Sequence, residues 1–305
     1  MRSSIFPTDL HMNGHSRLLR IQRASGALRV LRGLFAPMLL APVIACGPAP
    51  APPAADALQG RLGLTGSSTV APLAAEIAKR FEAQHPEVRI DVQTGGSSRG
   101  IADARSGIAD IGLVSRALVG TEQSDLQAHP IARDGIAMIV HASNPVPQLN
   151  ADQVRALYRG QWRNWQQAGG PDLEVSVVNK AQGRSTLDLF LEHFGLQSRE
   201  IRPAVVIGDN EQGIKTVAGN AGAIGYVSVG SAEYAAASGV PIRLLALDSI
   251  DASVDSVRQQ RYPLARPLNL VTRGAPGGLA AAFIAYAQSP AVHDLVRGLY
   301  FVPLE

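Results

Sequence analysis

Three times, the sequence places a loop rich in glycine and hydroxyl residues between an apolar run and an amphipathic segment. The loops are TGSSTVAPL at residues 65–73, GGSSRG at 95–100 and NKAQGRS at 179–185. The apolar runs predict β-strands, and the segments after the loops predict α-helices. The first turn of a helix carries amides without intrahelical partners and the positive end of the helix dipole, so it suits an anion with several oxygens. Helix capping by Ser67, Ser68 and Thr69 is the alternative role of the first loop.

The rest of the sequence alternates strands with helices. Further strands are predicted at residues 88–94, 110–114, 131–141, 173–178, 222–229 and 262–272, and Ser185 with Asp188 predicts a capping box at one of the helices. The alternation indicates a parallel α/β sheet and places the loops at the carboxyl ends of strands, where ligands of such sheets bind. Two lobes, joined by a crossover near residues 135–141 and a return near 264–272, would bring the three loops to one cleft.

The first 60 residues differ from the rest of the chain. Residues 31–45, LRGLFAPMLLAPVIA, follow an arginine-rich stretch and are apolar, but they are too short and too interrupted by proline to span a bilayer comfortably. We therefore predict a secretory signal at residues 1–45. The signal is followed by Cys46 in the sequence VIAC, which resembles the lipobox of bacterial lipoproteins and implies lipidation of Cys46. Residues 46–60 are rich in proline and alanine and predict an extended tether.

Charge and cysteine content exclude several classes of protein. The formal net charge of +3 depends on six arginines that precede Cys46, so the remaining chain is faintly acidic and lacks the basic surface that binds nucleic acid. Cys46 is the sole cysteine, which excludes an internal disulfide. No two histidines show the spacing of metal ligands, so we predict neither a metal site nor a cofactor.

Seven motifs, in their order and spacing, resemble one family. They are TGSSTVAPL, GGSSRGI, ADIGLVSR, ARDGIAMIV, GRSTLDLF, GAIGYVSVG and YPLARPLNL, and they cover the chain from about residue 62 to residue 304. The resemblance is to the phosphate-binding proteins of ABC phosphate importers, which have the type 2 periplasmic binding protein fold. It implies an α/β protein of two lobes, each a mixed sheet flanked by helices, with the ligand in the cleft. We assign residues 61–134 and 267–305 to lobe 1 and residues 135–266 to lobe 2.

The resemblance also implies the residues that bind the ligand. In lobe 1 these are Ser68, Thr69, Val70, Ser97, the adjacent Ser98 and, after the DIGLV strand, Ser115 or Arg116; in lobe 2 they are Lys180, Arg184, Ser185 and Thr186. Backbone amides and hydroxyl groups would hold the oxygens, and the cations would offset the negative charge.

Two of these residues depart from the family pattern. Arg184 stands where a small hydroxyl residue is usual, and Arg116 stands where the best-known members carry an aspartate. A buried carboxylate can accept the proton of monohydrogen phosphate, which sulfate lacks, so Arg116 removes the usual basis for rejecting sulfate. Asp134 is a candidate acceptor in its place, and capping a turn is the alternative role of Asp134.

The sequence therefore predicts a binding protein that is not an enzyme. As an extracytoplasmic, periplasmic or cell-surface lipoprotein, attached to a bacterial membrane by lipid alone, the monomer would capture inorganic phosphate and deliver it to the permease of an ABC importer. Binding of another tetrahedral oxyanion, such as sulfate, molybdate or tungstate, is an alternative, as is phosphate sensing without delivery. A serine hydrolase is a further alternative, because residues 96–100 read G-x-S-x-G after a strand, with Ser98 as the nucleophile.

Overall fold

The computed structural model describes residues 58–304, so the predicted signal, Cys46 and the tether up to residue 57 lie outside the described residues. The strands are β1 (Gly60–Gly66), β2 (Val88–Thr94), β3 (Ile111–Val114), β4 (Leu126–His141), β5 (Gln148–Leu149), β6 (Ser176–Lys180), β7 (Val205–Ile207), β8 (Ala223–Ser228), β9 (Ile242–Leu244), β10 (Ala246–Leu247) and β11 (Ala265–Arg273). The α-helices are α1 (Ala71–Gln84), α2 (Ser97–Ser106), α3 (Glu122–Asp125), α4 (Ala151–Tyr158), α5 (Ser185–Phe194), α6 (Asn210–Ala218), α7 (Val229–Ala237), α8 (Val254–Arg258), α9 (Gly278–Ala287) and α10 (His293–Gly298). Among these described helices, none has the length and apolar character needed to cross a membrane.

Nine of the described strands form one mixed sheet. Its order is β2-β1-β3-β11-β4-β8-β6-β7, with β9 beside β4, while β5 and β10 form a separate pair. β1 runs parallel to β2 and β3, and β6 runs parallel to β7 and β8, but β4 and β11 are antiparallel to their neighbours in the order. The prediction of a parallel sheet is wrong at these two central strands, because β11 runs opposite to β3 and β4, and β4 runs opposite to β8. The mixed α/β sheet flanked by helices is confirmed.

β4 is longer than the sequence predicts. It begins at Leu126 rather than at residue 131, and its first half pairs with β11 while its second half pairs with β8. Pro130 argues against a strand here, because proline has no amide hydrogen to donate to a neighbour. The structure accommodates it opposite Asn269, where the β4–β11 ladder shifts register. Such an irregularity leaves one residue outside the regular hydrogen-bond pattern.

The buried apolar side chains form two large clusters. One consists of residues between 62 and 132 and between 268 and 301, and it packs α1, α9 and α10 against the sheet. The other consists of residues between 136 and 264 together with Val302, and it contains the fully buried rings of Trp165, Tyr158 and Phe190. β4 runs from one cluster to the other, whereas β11 contributes Leu268 and Leu270 to the first, and Leu264, just before β11, belongs to the second. We keep the names lobe 1 and lobe 2 for the residue ranges assigned from the sequence.

The three glycine- and hydroxyl-rich loops each connect a strand to a helix. α1 follows β1 and buries Leu73, Ile77 and Phe81, which recur every four residues. α2 follows β2 after Gly96, whose φ of 95° is a conformation that glycine adopts without strain. α5 follows β6, which spans Ser176–Lys180 rather than the predicted 173–178. Each helix therefore begins at the carboxyl end of a strand.

Candidate functional site

The guanidinium of Arg266 lies where several of these segments meet. It donates hydrogen bonds to Thr69 Oγ1 at 3.2 Å, Ser115 Oγ at 3.3 Å and Thr186 Oγ1 at 3.3 Å. Thr69 precedes α1, Ser115 follows β3 and Thr186 lies in the first turn of α5. Hydroxyl groups from both lobes therefore converge on one buried cation. We call the side chains around Arg266 the central cluster: Ser67, Thr69, Ser97, Ser115, Asp134, Lys180, Thr186, Asn210 and Arg266.

Arg266 on β11 is paired with Asp134 on β4. Its Nη2 and Nε atoms lie 2.9 and 3.3 Å from Asp134 Oδ2, and the Gly230 amide donates to Asp134 Oδ1 at 3.2 Å. The two residues face each other across the β4–β11 ladder, and each side chain is 1% exposed. Removing one member of such a buried pair leaves the other charge uncompensated. The alternative role of Asp134, capping a turn, is wrong because Asp134 lies inside a strand.

The loop before α1 joins the central cluster through Ser67. Ser67 Oγ lies 3.0 Å from Ser115 Oγ and accepts hydrogen bonds from the amides of Thr69 at 3.2 Å and Val70 at 3.4 Å. Ser97 Oγ accepts from the Ser115 amide at 3.2 Å, which connects α2 to the same cluster. The predicted residues Thr69, Val70, Ser97 and Ser115 are thus close together. The long contacts to Ser67 are weak caps, which an anion with stronger acceptor oxygens can replace.

Lys180 and Asn210 complete the cluster from lobe 2. Lys180 Nζ donates to Asn210 Oδ1 at 3.1 Å, and Asn210 Nδ2 donates to Thr69 Oγ1 at 3.1 Å. Burial lowers the pKa of Lys180 to about 7, with Arg266 and Arg184 acting in the same direction and Asp209 opposing them. Lys180 is therefore a cation that lacks an anionic hydrogen-bond partner among the described residues.

Arg184 and Ser185, at the start of α5, hold two buried polar atoms without partners. Arg184 Nε and Ser185 Oγ make no hydrogen bond to any described residue. The capping box predicted from Ser185 and Asp188 is wrong, because Arg184 occupies the N-cap position and no side chain caps this helix. A buried polar atom without a partner costs about 1–3 kcal/mol. Both atoms lie at a helix amino terminus, and an oxyanion would satisfy them.

Arg116 does not join the central cluster. Its guanidinium forms a bidentate ion pair with Glu122, with distances of 2.7 and 2.8 Å, and lies 3.7 Å from Asp188 of lobe 2. The hydrogen bond with Glu122 raises the pKa of Arg116 and lowers that of Glu122, as expected for an ion pair. The expectation that Arg116 supplies charge to the ligand is therefore not supported, whereas the neighbouring Ser115 lies inside the cluster.

Ser68 and Ser98 lie at the edge of the site. Ser68 is partly exposed and lines a cavity of about 370 Å³ between the lobes. Ser98 is exposed, and its amide donates to the Gly183 carbonyl of lobe 2 at 3.2 Å. None of the histidines in residues 58–304 hydrogen-bonds to Ser98, since His129 contacts Thr272 and His141 contacts Ser143. The geometry gives Ser98 no base, so nothing here supports the hydrolase alternative.

The arrangement is suited to a small anion. Arg266, Lys180 and Arg184 provide three cationic groups against the buried carboxylate of Asp134 and the more distant Asp209. Hydroxyl groups from α1, β3 and α5 surround them. In residues 58–304 no three acidic, histidine or cysteine side chains are grouped to hold a metal ion. The sequence did not indicate Arg266 or Asn210 as site residues, although Arg266 stands in the YPLARPLNL motif.

Comparisons with known proteins identify relatives that are named for phosphate. The phosphate-binding protein PstS of Bacillus subtilis strain 168 is 25% identical over 249 residues, which cover 80% of this chain and 81% of the relative. A crystal structure from Clostridium perfringens, described as a phosphate ABC transporter substrate-binding protein with bound phosphate, matches with a TM-score of 0.75 and 30% identity over 81% of this chain and 100% of that chain. An ABC-type phosphate transport receptor from Vibrio cholerae matches with a TM-score of 0.67 and 29% identity over 80% of this chain and 100% of that chain.

The comparisons confirm the family predicted from the seven motifs. A family model described as a PBP superfamily domain matches residues 51–291. The match includes all residues of the central cluster and all buried residues of the two apolar clusters except Val292, Val296, Phe301 and Val302. This chain therefore belongs to the PBP superfamily.

Proposed function

We propose that this chain is an extracytoplasmic substrate-binding lipoprotein that captures inorganic phosphate between its lobes and delivers it to an ABC importer. One observation carries the proposal: hydroxyl groups of Thr69, Ser115 and Thr186, from three segments in two lobes, converge on the buried guanidinium of Arg266. The names of the Bacillus, Clostridium and Vibrio relatives support phosphate as the anion. As a member of a family of transport-associated binding proteins, the chain would perform no catalysis.

The available donors are sufficient for tight binding. A hydrogen bond to a charged ligand contributes about 1.5–3 kcal/mol, and micromolar affinity requires about 8 kcal/mol. Ser185 Oγ and Arg184 Nε offer two donors that have no other partner among the described residues. Thr69, Thr186 and Lys180 offer further donors that now contact neutral groups or Arg266. Five such bonds would contribute about 7.5–15 kcal/mol, a range that covers the requirement of about 8 kcal/mol.

The anion would bind in two steps. It docks first on the loops of residues 65–72 and 95–100 in lobe 1, and lobe 2 then closes over it and brings Lys180 and the start of α5 into contact. The close contact between the Ser98 amide and the Gly183 carbonyl supports a closed form of this kind. Small-angle X-ray scattering with and without saturating phosphate tests the step, with a smaller radius of gyration expected in phosphate. Identical scattering curves would argue against closure.

Discrimination between phosphate and sulfate is the sharpest test of the ligand. Isothermal titration calorimetry with each anion, at pH 6 and pH 8, is expected to give tighter binding of phosphate at both. Thr69→Val should weaken phosphate binding by about tenfold, the equivalent of one hydrogen bond. Thr216→Val is a matched control, since Thr216 Oγ1 bonds only to the Gln212 carbonyl within α6. Equal affinities for the two anions would favour a binding protein for tetrahedral oxyanions in general.

Membrane attachment through Cys46 and delivery to a permease are further parts of the proposal. In a bacterial host, the Cys46→Ser variant is expected to lose incorporation of a fatty-acid probe and to leave the membrane fraction. Retention of the probe on the variant would refute lipidation at Cys46.

The lobe boundaries at residues 134/135 and 266/267 are supported by the change from one apolar cluster to the other near the same residues. The protein is expected to elute as a monomer in size-exclusion chromatography with light scattering.

A further inference from the structure

Arg116 connects the two lobes through an ion triad outside the central cluster. Its guanidinium pairs with Glu122 of lobe 1 at 2.7 and 2.8 Å and lies 3.7 Å from the Asp188 carboxylate of lobe 2. The side chains of Arg116 and Glu122 are 11% and 16% exposed, whereas Asp188 is 44% exposed. The guanidinium is thus fixed in lobe 1 by Glu122, and its second carboxylate partner belongs to the opposite lobe.

Asp188 lies on the helix that begins at the proposed phosphate site. It lies in the first turn of α5, the helix that presents Ser185 and Thr186 to the proposed phosphate site. Burial raises the pKa of Asp188, Arg116 lowers it and Glu122 raises it. A negative charge beside an anion site opposes binding, and a cation that approaches it removes part of this opposition. Contact between Arg116 and Asp188 therefore favours both closure of the lobes and retention of the anion.

We propose that Arg116 is a positioning residue, which latches the closed lobes through Asp188 and slows release of the ligand without touching it. The inference rests on the proposed function, since it requires a ligand held by closure. It also gives a physical role to an arginine at a position where the sequence comparison led us to expect an aspartate. If Arg116 were lost, the carboxylates of Glu122 and Asp188 would face each other across the lobes without a cation.

A double-mutant cycle tests the latch with phosphate as the probe. Arg116→Gln is expected to weaken phosphate binding by about threefold to tenfold, mainly through faster release in stopped-flow measurements. In the Asp188→Asn background, Arg116→Gln should have an effect at least about twofold smaller, because the pair contributes only when both members are present. Full, additive effects of the two substitutions would overturn the latch and indicate that Arg116 acts on the ligand directly.

Salt and a matched variant provide the remaining controls. Arg116 and Asp188 line a surface cavity of about 510 Å³, so solvent ions reach the pair. The coupling factor is the effect of Arg116→Gln on phosphate affinity in the unmodified protein divided by its effect in the Asp188→Asn background. This factor should therefore decrease toward one in about 1 M potassium chloride, where the Debye length is about 3 Å. Glu192→Gln alters another carboxylate of α5 that lines the same cavity, and Glu192 forms no ion pair with a described residue. An effect of Glu192→Gln equal to that of Asp188→Asn would refute the specific pair.

The outcome also separates the latch from the proposed function. If the unmodified protein does not bind phosphate, the proposed function itself is wrong. If it binds phosphate but shows no coupling between residues 116 and 188, only the latch is wrong.

Discussion

Binding of phosphate should be coupled to uptake of a proton by Lys180. The pKa of Lys180 is lowered from 10.5 to about 7, mainly by burial; Arg266 and Arg184 act in the same direction and Asp209 opposes them. At about 1.36 kcal/mol per pKa unit, this change corresponds to a cost of about 5 kcal/mol for keeping the ammonium charged in this environment. A dianion in contact with Nζ favours the charged form and raises the pKa again.

The pKa of Lys180 determines how many protons are taken up on binding and how phosphate affinity depends on pH. At pH 8 a lysine with a pKa of about 7 is roughly one-tenth protonated, so binding should take up close to one proton if the pKa in the complex exceeds about 9. Phosphate is already mainly the dianion at this pH, and the two arginines of the site remain charged throughout. Between pH 7.5 and the pKa in the complex, affinity should fall by about tenfold per pH unit.

Calorimetry in buffers of different ionisation enthalpy measures the proton uptake. The observed binding enthalpy at pH 8, plotted against the ionisation enthalpy of HEPES and Tris, should give a slope near one proton. Lys180→Gln is expected to abolish the slope and to weaken binding by about tenfold to a hundredfold, the loss of one charged hydrogen bond. Lys215→Gln, on the exposed side of α6, is the control and should leave the slope unchanged. A slope near zero for the unmodified protein would refute the reasoning.

Three further substitutions probe the site and its support. Ser185→Ala removes a buried hydroxyl that has no partner among the described residues, so the protein without phosphate should unfold at the same or a higher temperature. Phosphate affinity should fall about tenfold. A lower unfolding temperature of the protein without phosphate would contradict the assignment of this hydroxyl to the ligand. Gly96→Ala would place a methyl group 2.5 Å from the Gly183 carbonyl at a φ of 95°, so calorimetry should show at least about tenfold weaker binding, and unaltered affinity would argue against closure. Arg266→Met leaves Asp134 buried and unpaired, so urea unfolding should show a loss of about 3–5 kcal/mol, which Asp134→Leu in the same chain should partly restore.

Most of the site on lobe 1 could be predicted because its signals are local. The glycine- and hydroxyl-rich loops lie next to strands and helices in sequence, and Thr69, Ser97 and Ser115 lie together in the structure. Arg116 was predicted to contact the ligand but lies outside the central cluster, and the reason is also physical. Its partner Glu122 lies six residues away at the start of the short helix α3, and the irregular segment between them has no periodicity that shows which way a side chain points.

The sequence around each member of the central ion pair alternates with a period of two residues, as in a β-strand. Leu264, Arg266 and Leu268 alternate along one strand, as do Ala132, Asp134 and Ile136 along another. Charged residues at inward-facing positions need a partner of opposite charge, so the two strands are expected to be neighbours with these residues opposed. The structure places Arg266 opposite Asp134 in this way. Asn210, by contrast, follows the helix-capping Asp209 and carries no feature that distinguishes it from an ordinary residue of a first turn.

The location of this ion pair on β4 and β11 bears on the proposed closure of the lobes. β4 pairs with β11 up to Gly135 and with β8 from Ile136 onward, and Asp134 and Arg266 lie next to this change of partner. A rotation of the lobes about this point would have its axis near the two residues. Groups near an axis travel little, whereas the start of α5 and the loop before α1 swing through larger arcs. The positive charge of Arg266 would then stay in place while lobe 2 closes over an anion docked on the loops of lobe 1.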